Sequence, residues 1–135
     1  MSATLDFPVV SVPATARALL RDAREGLVDA VAEPEPAYRF AAAYLAALRA
    51  AAAMLALRGR PHRGRARPAS VWTLLVSVAP EMREWAAFFA SSSATRASVQ
   101  AGLTRKVSVR AADDMVRQAG QFVDLVGRAM RGGRT

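Results

Sequence analysis

An arginine-rich stretch between two apolar regions is the most chemically distinctive feature of this 135-residue sequence. Residues 58–69 include two glycines and two prolines, which disfavour a helix, so an exposed loop is predicted. The arginines of this loop are Arg58, Arg60, Arg63, Arg65 and Arg67. If all five met phosphates of a duplex, the log–log salt dependence of binding would be about −4.5. The alternative is a solvated connection, and no aromatic residue is interleaved that could stack on single-stranded bases.

Histidine and acidic residues point to little further chemistry. His62, the only histidine, lies in this loop, where a solvent-facing side chain is favoured over a general base. Since the chain has no cysteine and no second histidine, we predict no metal site and no cofactor. Asp113 and Asp114 are neighbours, and neighbouring side chains on a helix point about 100° apart. Favourable charge near a helix N-terminus therefore explains them better than a metal site or an acid–base pair.

Positive charge is concentrated after residue 57. Residues 1–57 carry five arginines against six carboxylates, whereas residues 58–135 carry fourteen Lys/Arg against five, for a total of +8. This asymmetry predicts an anionic partner, with nucleic acid favoured over a membrane surface. Lys106 is the single lysine and alanine is abundant, which is also the pattern of a GC-rich genome. Part of the arginine excess can therefore be mutational.

Compartment and membrane signals are read from composition. The absence of cysteine fits a reducing compartment, and no basic region precedes an apolar run at the N-terminus, so a cytoplasmic location is expected. The apolar stretch 41–57 has Arg49 at its centre, which would cost about 2.5–3.5 kcal/mol in a bilayer. A central bundle helix is therefore predicted instead of a membrane span. Arg49 either reaches the surface by its long stem or is buried and paired.

Apolar spacings of three and four residues predict helices throughout. Helices are expected over about 13–32, 36–57, 70–78, 80–100 and 108–128, with Ser70 and Ser108 as N-caps and Val31 in the buried stripe of the first. The fold class is therefore all-α, an antiparallel up-and-down four-helix bundle with an additional short helix. Residues 1–12 form an N-terminal extension, 13–130 the bundle and 131–135 a basic tail. The aromatic residues assigned to the core, in preference to a ligand pocket, are Trp72, Trp85, Phe88 and Phe89.

Three stretches of the sequence carry a family resemblance. They are residues 38–55, residues 70–75 together with 79–90, and residues 112–119. They resemble a small actinobacterial branch of the HEPN superfamily, and the likeness extends from about Ala16 to Leu125. The resemblance implies a four-helix up-and-down bundle that often dimerises, so a homodimer is expected.

The same resemblance raises the question of catalysis. In many HEPN proteins an Arg-x(4–6)-His motif from each protomer meets across the dimer and cleaves RNA, with the histidine transferring protons and the arginine holding phosphate. The positions at that spacing before His62 are Leu55, Ala56 and Leu57, and no histidine follows Arg105 or Arg110.

Arg39 and Tyr44 have the spacing of this motif with tyrosine in place of the histidine. Tyrosine, with an ordinary pKa of about 10, is a poor base at neutral pH. The first hypothesis is therefore a non-catalytic homodimeric module that binds RNA or another nucleic acid. The second is a divergent ribonuclease that uses Arg39, Tyr44 and Arg49, with His62 as a further candidate. The third is a protein-interaction partner that binds no nucleic acid.

Overall fold

The computed structural model of the protein describes residues 12–59, 70–105 and 107–132. Its helices are α1 (Ala14–Ala32), α2 (Pro36–Arg58), α3 (Val71–Val78), α4 (Arg83–Gln100) and α5 (Val109–Met130), with a 3₁₀ turn at Pro80–Met82. The described ranges contain no strand. The predicted all-α class is therefore confirmed. The N-terminal extension, most of the arginine loop and the end of the basic tail lie outside the described residues.

Short polar and glycine signals fix the ends of these helices. The hydroxyl of Ser70 accepts a hydrogen bond from the Thr73 amide at 3.1 Å, and that of Ser108 accepts one from the Ala111 amide at 3.0 Å. Both predicted N-caps are therefore confirmed. At the other end of α4, Gly102 has φ +92°, a conformation that L side chains rarely adopt. It turns the chain out of α4 towards α5.

The four long helices alternate in direction. Val31 near the end of α1, Arg39 near the start of α2 and Val109 at the start of α5 line one groove. We call this end of the bundle the turn end. Val12 before α1, Arg58 at the end of α2 and Met130 at the end of α5 line a groove at the opposite end, the tail end. Arg58 also pairs with Glu81, just before α4, so α4 starts at the tail end. The bundle is therefore antiparallel and up-and-down.

Helix α2 is the centre of the bundle and contacts the other four helices. Most of its buried positions are alanines, so neighbouring backbones approach closely. By length and composition α2 is the one helix in the described ranges that could span a membrane, which is weak evidence. More than half of its apolar window is buried in the bundle, as in the core helix of a soluble protein.

Six aromatic rings form the densest part of the core. Phe89 is fully buried, and its ring centroid lies 5.0–6.5 Å from those of five neighbours. The five neighbours are Tyr44, Trp72, Trp85, Phe88 and Phe122. Trp72 is also buried, whereas Trp85 and Phe88 are half-buried, so the four aromatic residues assigned to the core all pack in it or against it.

One apolar position of α1 departs from the expected stripe. Val31 is 66% exposed although its spacing places it with the buried residues of α1. It lies in the last turn of α1, at the groove that it shares with Val109 and Val116 of α5. Helical spacing identifies a face of a helix but not how far the neighbouring helices extend along it, so the assignment of Val31 was wrong.

Candidate functional site

Arg39 connects three segments of the chain at the turn end by hydrogen bonds. Its guanidinium donates to the Asp113 carboxylate of α5 at 2.9 Å and to the backbone carbonyls of Glu33 and Pro34 at 3.0 Å. The Arg39 side chain is only 15% exposed. These contacts join the α1–α2 turn to the start of α5. Asp113 thus serves as an interhelix partner. It lies beyond the first turn of α5, so the role expected for it, favourable charge at the helix N-terminus, is not what the structure shows.

The Arg39–Asp113 pair should contribute measurably to stability. We expect Arg39→Met to lower the free energy of unfolding by about 1–2 kcal/mol, because it removes an ion pair and leaves two backbone carbonyls, one of them in a part-buried contact, without their donor. The matched control is Arg117→Met, which removes an exposed pair with Asp114 within α5 and should cost about 0.5 kcal/mol or less. Urea denaturation of both variants measures the difference. Equal losses of unfolding free energy in Arg39→Met and Arg117→Met would contradict the assigned role of Arg39.

Tyr44 is a core residue with a satisfied hydroxyl. The side chain is 3% exposed, and its oxygen accepts a hydrogen bond from the indole Nε1 of Trp72 at 2.9 Å. Its ring meets those of Trp72 and Phe89 edge-on. The geometry suits a packing residue that orients Trp72, and gives the phenol little access to a substrate.

Arg96 of α4 is a neighbour of Tyr44 that sequence reasoning missed. Its guanidinium carbon lies 5.5 Å from the centroid of the Tyr44 ring, within cation–π range. The Nε atom of Arg96 is buried and has no hydrogen-bond partner in the structure. No sequence motif marks this residue, because the pairing depends on α2 and α4 being adjacent.

Arg49 lies on a third side of α2. It is half-buried, and its Nη1 atom would be 3.8 Å from a Cβ atom placed on Gly26 of α1. Its guanidinium thus lies against α1 at a glycine. Arg49 forms no ion pair within the described ranges, so of the two alternatives expected for it, a stem that reaches toward the surface fits better than burial with a partner. Arg39, Tyr44 and Arg49 follow one another at five-residue steps, which turn about 140° each around a helix. Because Arg39, Tyr44 and Arg49 contact different parts of the bundle, the three side chains do not line one cleft.

Arg58 is the one arginine of the predicted loop within the described residues. It donates to the Val78 carbonyl at 2.9 Å and pairs with Glu81 at 2.8 Å, so it closes the tail end of the bundle. Arg60, Arg63, Arg65, Arg67 and His62 lie outside the described residues. Their roles stay predictions. The described ranges hold no group of acidic or histidine side chains arranged for a metal ion.

The hydrogen bond from Arg58 lowers the pKa of Glu81 below its ordinary value of 4.5. A carboxyl whose pKa is lower in the folded state adds stability above its unfolded pKa and loses it as pH falls through the folded pKa. We therefore expect Arg58→Met to return the Glu81 pKa toward 4.5, measured by an NMR pH titration of the carboxyl carbons. Unchanged titration of Glu81 would contradict the pairing.

An antiparallel four-helix bundle with a short intervening helix is the architecture that the resemblance to HEPN domains implied. The chain matches the family model described as SAV_6107-like HEPN over residues 30–127, about three quarters of its length. It therefore belongs to the SAV_6107-like HEPN family. No curated protein and no solved structure is significantly similar to it. The matched region begins at the end of α1 and stops at Gly127, so most of α1 lies outside it.

Proposed function

We propose that this HEPN-family bundle is a non-catalytic cytoplasmic module that binds RNA through its tail end. The observation that carries the proposal is the uneven pairing of charge. Ion pairs engage Arg39, Arg58 and Arg117 within residues 12–59, 70–105 and 107–132, while the other arginines of those ranges have no partner among the carboxylates of the same ranges. Unpaired guanidinium groups on a rigid surface favour an anionic ligand with many phosphates.

The positive charge is also distributed unevenly between the two ends of the bundle. Arg17, Arg128 and Arg131 lie in the end turns of α1 and α5 or just beyond them, at the tail end. Four more arginines follow Gly59 in the sequence, directly after α2 ends there. Carboxylates are more numerous at the turn end (Asp29, Glu33, Glu35, Asp113 and Asp114) than at the tail end (Glu81, Glu84 and Asp124). A polyanion would therefore approach the tail end first.

The non-catalytic part of the proposal is supported by the environment of the near-motif residues. The Tyr44 hydroxyl is buried against Trp72, and Arg39 is engaged by Asp113 and two carbonyls. Neither group is free to hold a phosphate or move a proton in this conformation. No specific contact favours the divergent ribonuclease over the binding module.

A salt series tests the proposal directly. Labelled single-stranded and duplex RNA should bind at low salt, and log K should fall linearly with log salt with a slope of about −3 or steeper. Absent or salt-insensitive binding would contradict it and favour the protein-interaction alternative. Release of labelled fragments during the incubation would contradict the non-catalytic assignment. Arg39→Ala and Tyr44→Phe would then show whether the near-motif residues take part.

We also propose that the protein is a homodimer and that the turn end forms its interface. Five large apolar side chains are exposed around this end, Val28 (70%), Val31 (66%), Tyr38 (53%), Leu103 (56%) and Val109 (58%). Val31 and Val109 line the same groove, whose volume is about 430 Å³. A second copy that buries this apolar surface would leave the basic tail ends free at the two outer extremes of the dimer.

Oligomeric state in solution checks this assignment. Light scattering coupled to size-exclusion chromatography should give a dimer mass for the wild type and a monomer mass for Val31→Glu/Val109→Glu, because the charges would be buried unpaired. Ala87→Glu/Ala90→Glu is the matched control, since both side chains are exposed on the first half of α4, away from the turn end, and the substitutions add the same two charges. A monomeric wild type, or a dimeric Val31→Glu/Val109→Glu variant, would contradict the proposed interface.

A further inference from the structure

Two arginines from different helices converge on one glycine at the tail end. A Cβ atom placed on Gly127 of α5 would be 2.5 Å from Nη2 of Arg24 and 3.6 Å from Nη1 of Arg131. The two guanidinium nitrogens are thus at most about 6 Å apart. Arg24 comes from the middle of α1, whereas Arg131 is the residue that ends α5. Gly127 makes the approach possible because it has no side chain.

Nothing in the described part of the chain neutralises this pair. The carboxylate partners found there belong to other arginines, and neither guanidinium donates a hydrogen bond within those ranges. The C-terminal end of α5 offers a partial negative charge of about half a unit, which cannot balance two full positive charges. Like charges held this close repel even in water, so a bound anion would relieve a real cost.

We infer that Arg24 and Arg131 form a clamp for a phosphate group over Gly127. Two planar guanidinium groups present several N–H donors, which match the several oxygens of a phosphate in bidentate fashion. Arg131 also lines the open tail-end groove of about 610 Å³ together with Arg58 and Gly132, so the clamp can be reached from solvent. The inference rests on the proposed function only in assigning the phosphate to RNA.

The clamp is separate from the region that defines the family. Arg24 and Arg131 both lie outside residues 30–127, and only Gly127 falls inside them. The arginine loop is a different segment of the chain, so loop and clamp can be altered independently. The clamp is therefore a phosphate contact on the helices, separate from any contact made by the arginine loop.

Substitutions at two glycines of α5 separate a clamp from a structural role. Gly127→Ala places a methyl group where the Arg24 guanidinium lies and should displace it, while alanine favours the helix over glycine. Gly120→Ala is the matched control in the same helix, because a Cβ there meets nothing within 4 Å. Both variants should unfold at the same temperature as wild type or higher. Only Gly127→Ala should weaken phosphate binding.

The direct probe is inorganic phosphate at constant ionic strength, with chloride as the reference anion, followed by NMR of the arginine Nε–H groups and the Gly127 and Gly132 amides. Saturable shifts at Arg24 and Arg131 are expected, with Kd at least about 10-fold weaker in Arg24→Gln. Shifts that are absent, or that persist unchanged in Arg24→Gln and Gly127→Ala, would overturn the clamp.

RNA binding forms a second and independent arm of the experiment. Arg24→Gln should weaken RNA binding more than Arg21→Gln, which removes an exposed arginine of the same helix. Phosphate bound at the clamp without any RNA binding would leave the clamp standing and remove the proposed function. RNA bound equally by both variants, with no phosphate shifts, would remove the clamp and leave the proposed function standing.

Discussion

Phe89→Ala should lower the free energy of unfolding by about 3–5 kcal/mol, which is the largest loss expected from a single substitution in this protein. Phe89 is fully buried, and its ring packs against five other aromatic rings contributed by α2, α3, α4 and α5. Removal of this ring leaves a cavity that stiff neighbours on four helices cannot collapse to fill. A domain of this size has a total stability of about 5–15 kcal/mol, so much of it would be lost.

Phe88→Ala is the matched control for this core substitution. Phe88 precedes Phe89 in α4 but is only half-buried, and within the described ranges its one aromatic neighbour is Phe89 itself at 5.0 Å. We expect a loss of about 1–2 kcal/mol there, because less apolar area leaves water on folding. Urea denaturation with an unchanged m-value measures both. Similar losses for the two variants would contradict the central position assigned to Phe89.

The second large effect is expected on RNA binding when the loop is neutralised. Replacement of Arg60, Arg63, Arg65 and Arg67 by glutamine removes up to four phosphate contacts, each worth about 0.7 in the salt exponent on a single strand. The slope should therefore become shallower by up to about 2.8. Because the electrostatic contribution vanishes near 1 M salt, affinity at 0.1 M should fall roughly 100- to 1,000-fold.

A control variant with the same loss of charge distinguishes RNA binding by the loop from attraction of RNA by the net charge of the protein. Glutamine at Arg105, Lys106, Arg110 and Arg117 removes four cations around the α4–α5 connection and the first half of α5. This variant should keep most of the wild-type salt slope. Equal losses for the two variants would mean that net charge alone drives binding. An unaffected loop variant would shift the interface to the helices, where Arg24 and Arg131 lie.

Sequence patterns predicted the helices well, since each is specified by neighbouring residues. Ser70 and Ser108 were identified as N-caps from residue type alone, because capping is a contact with a backbone amide three residues away. The alanine-rich stretch of α2 predicted the central helix, because a helix apolar on nearly all sides must be surrounded. The membership of the HEPN superfamily was likewise contained in the sequence.

The candidate site was predictable only in part, because its contacts join residues far apart in the chain. Arg39 and Tyr44 were selected by their spacing, yet their partners are Asp113, 74 positions away, and Trp72, 28 positions away. Similarly, Gly127 carries no signal by itself. Its role depends on the packing of α1 beside α5, which brings the Arg24 guanidinium over it.

Sequence alone thus determined that this protein is a helical HEPN-type bundle, basic in its second part and without the histidine of the ribonuclease motif. Tertiary structure alone decided which arginines of residues 12–59, 70–105 and 107–132 are engaged by carboxylates of those ranges and which are not. The physical reason is the length of the arginine side chain, whose charge can be far from its own backbone. Helix packing sets what that charge meets: Asp113 for Arg39, the Tyr44 ring for Arg96, and a second guanidinium for Arg24.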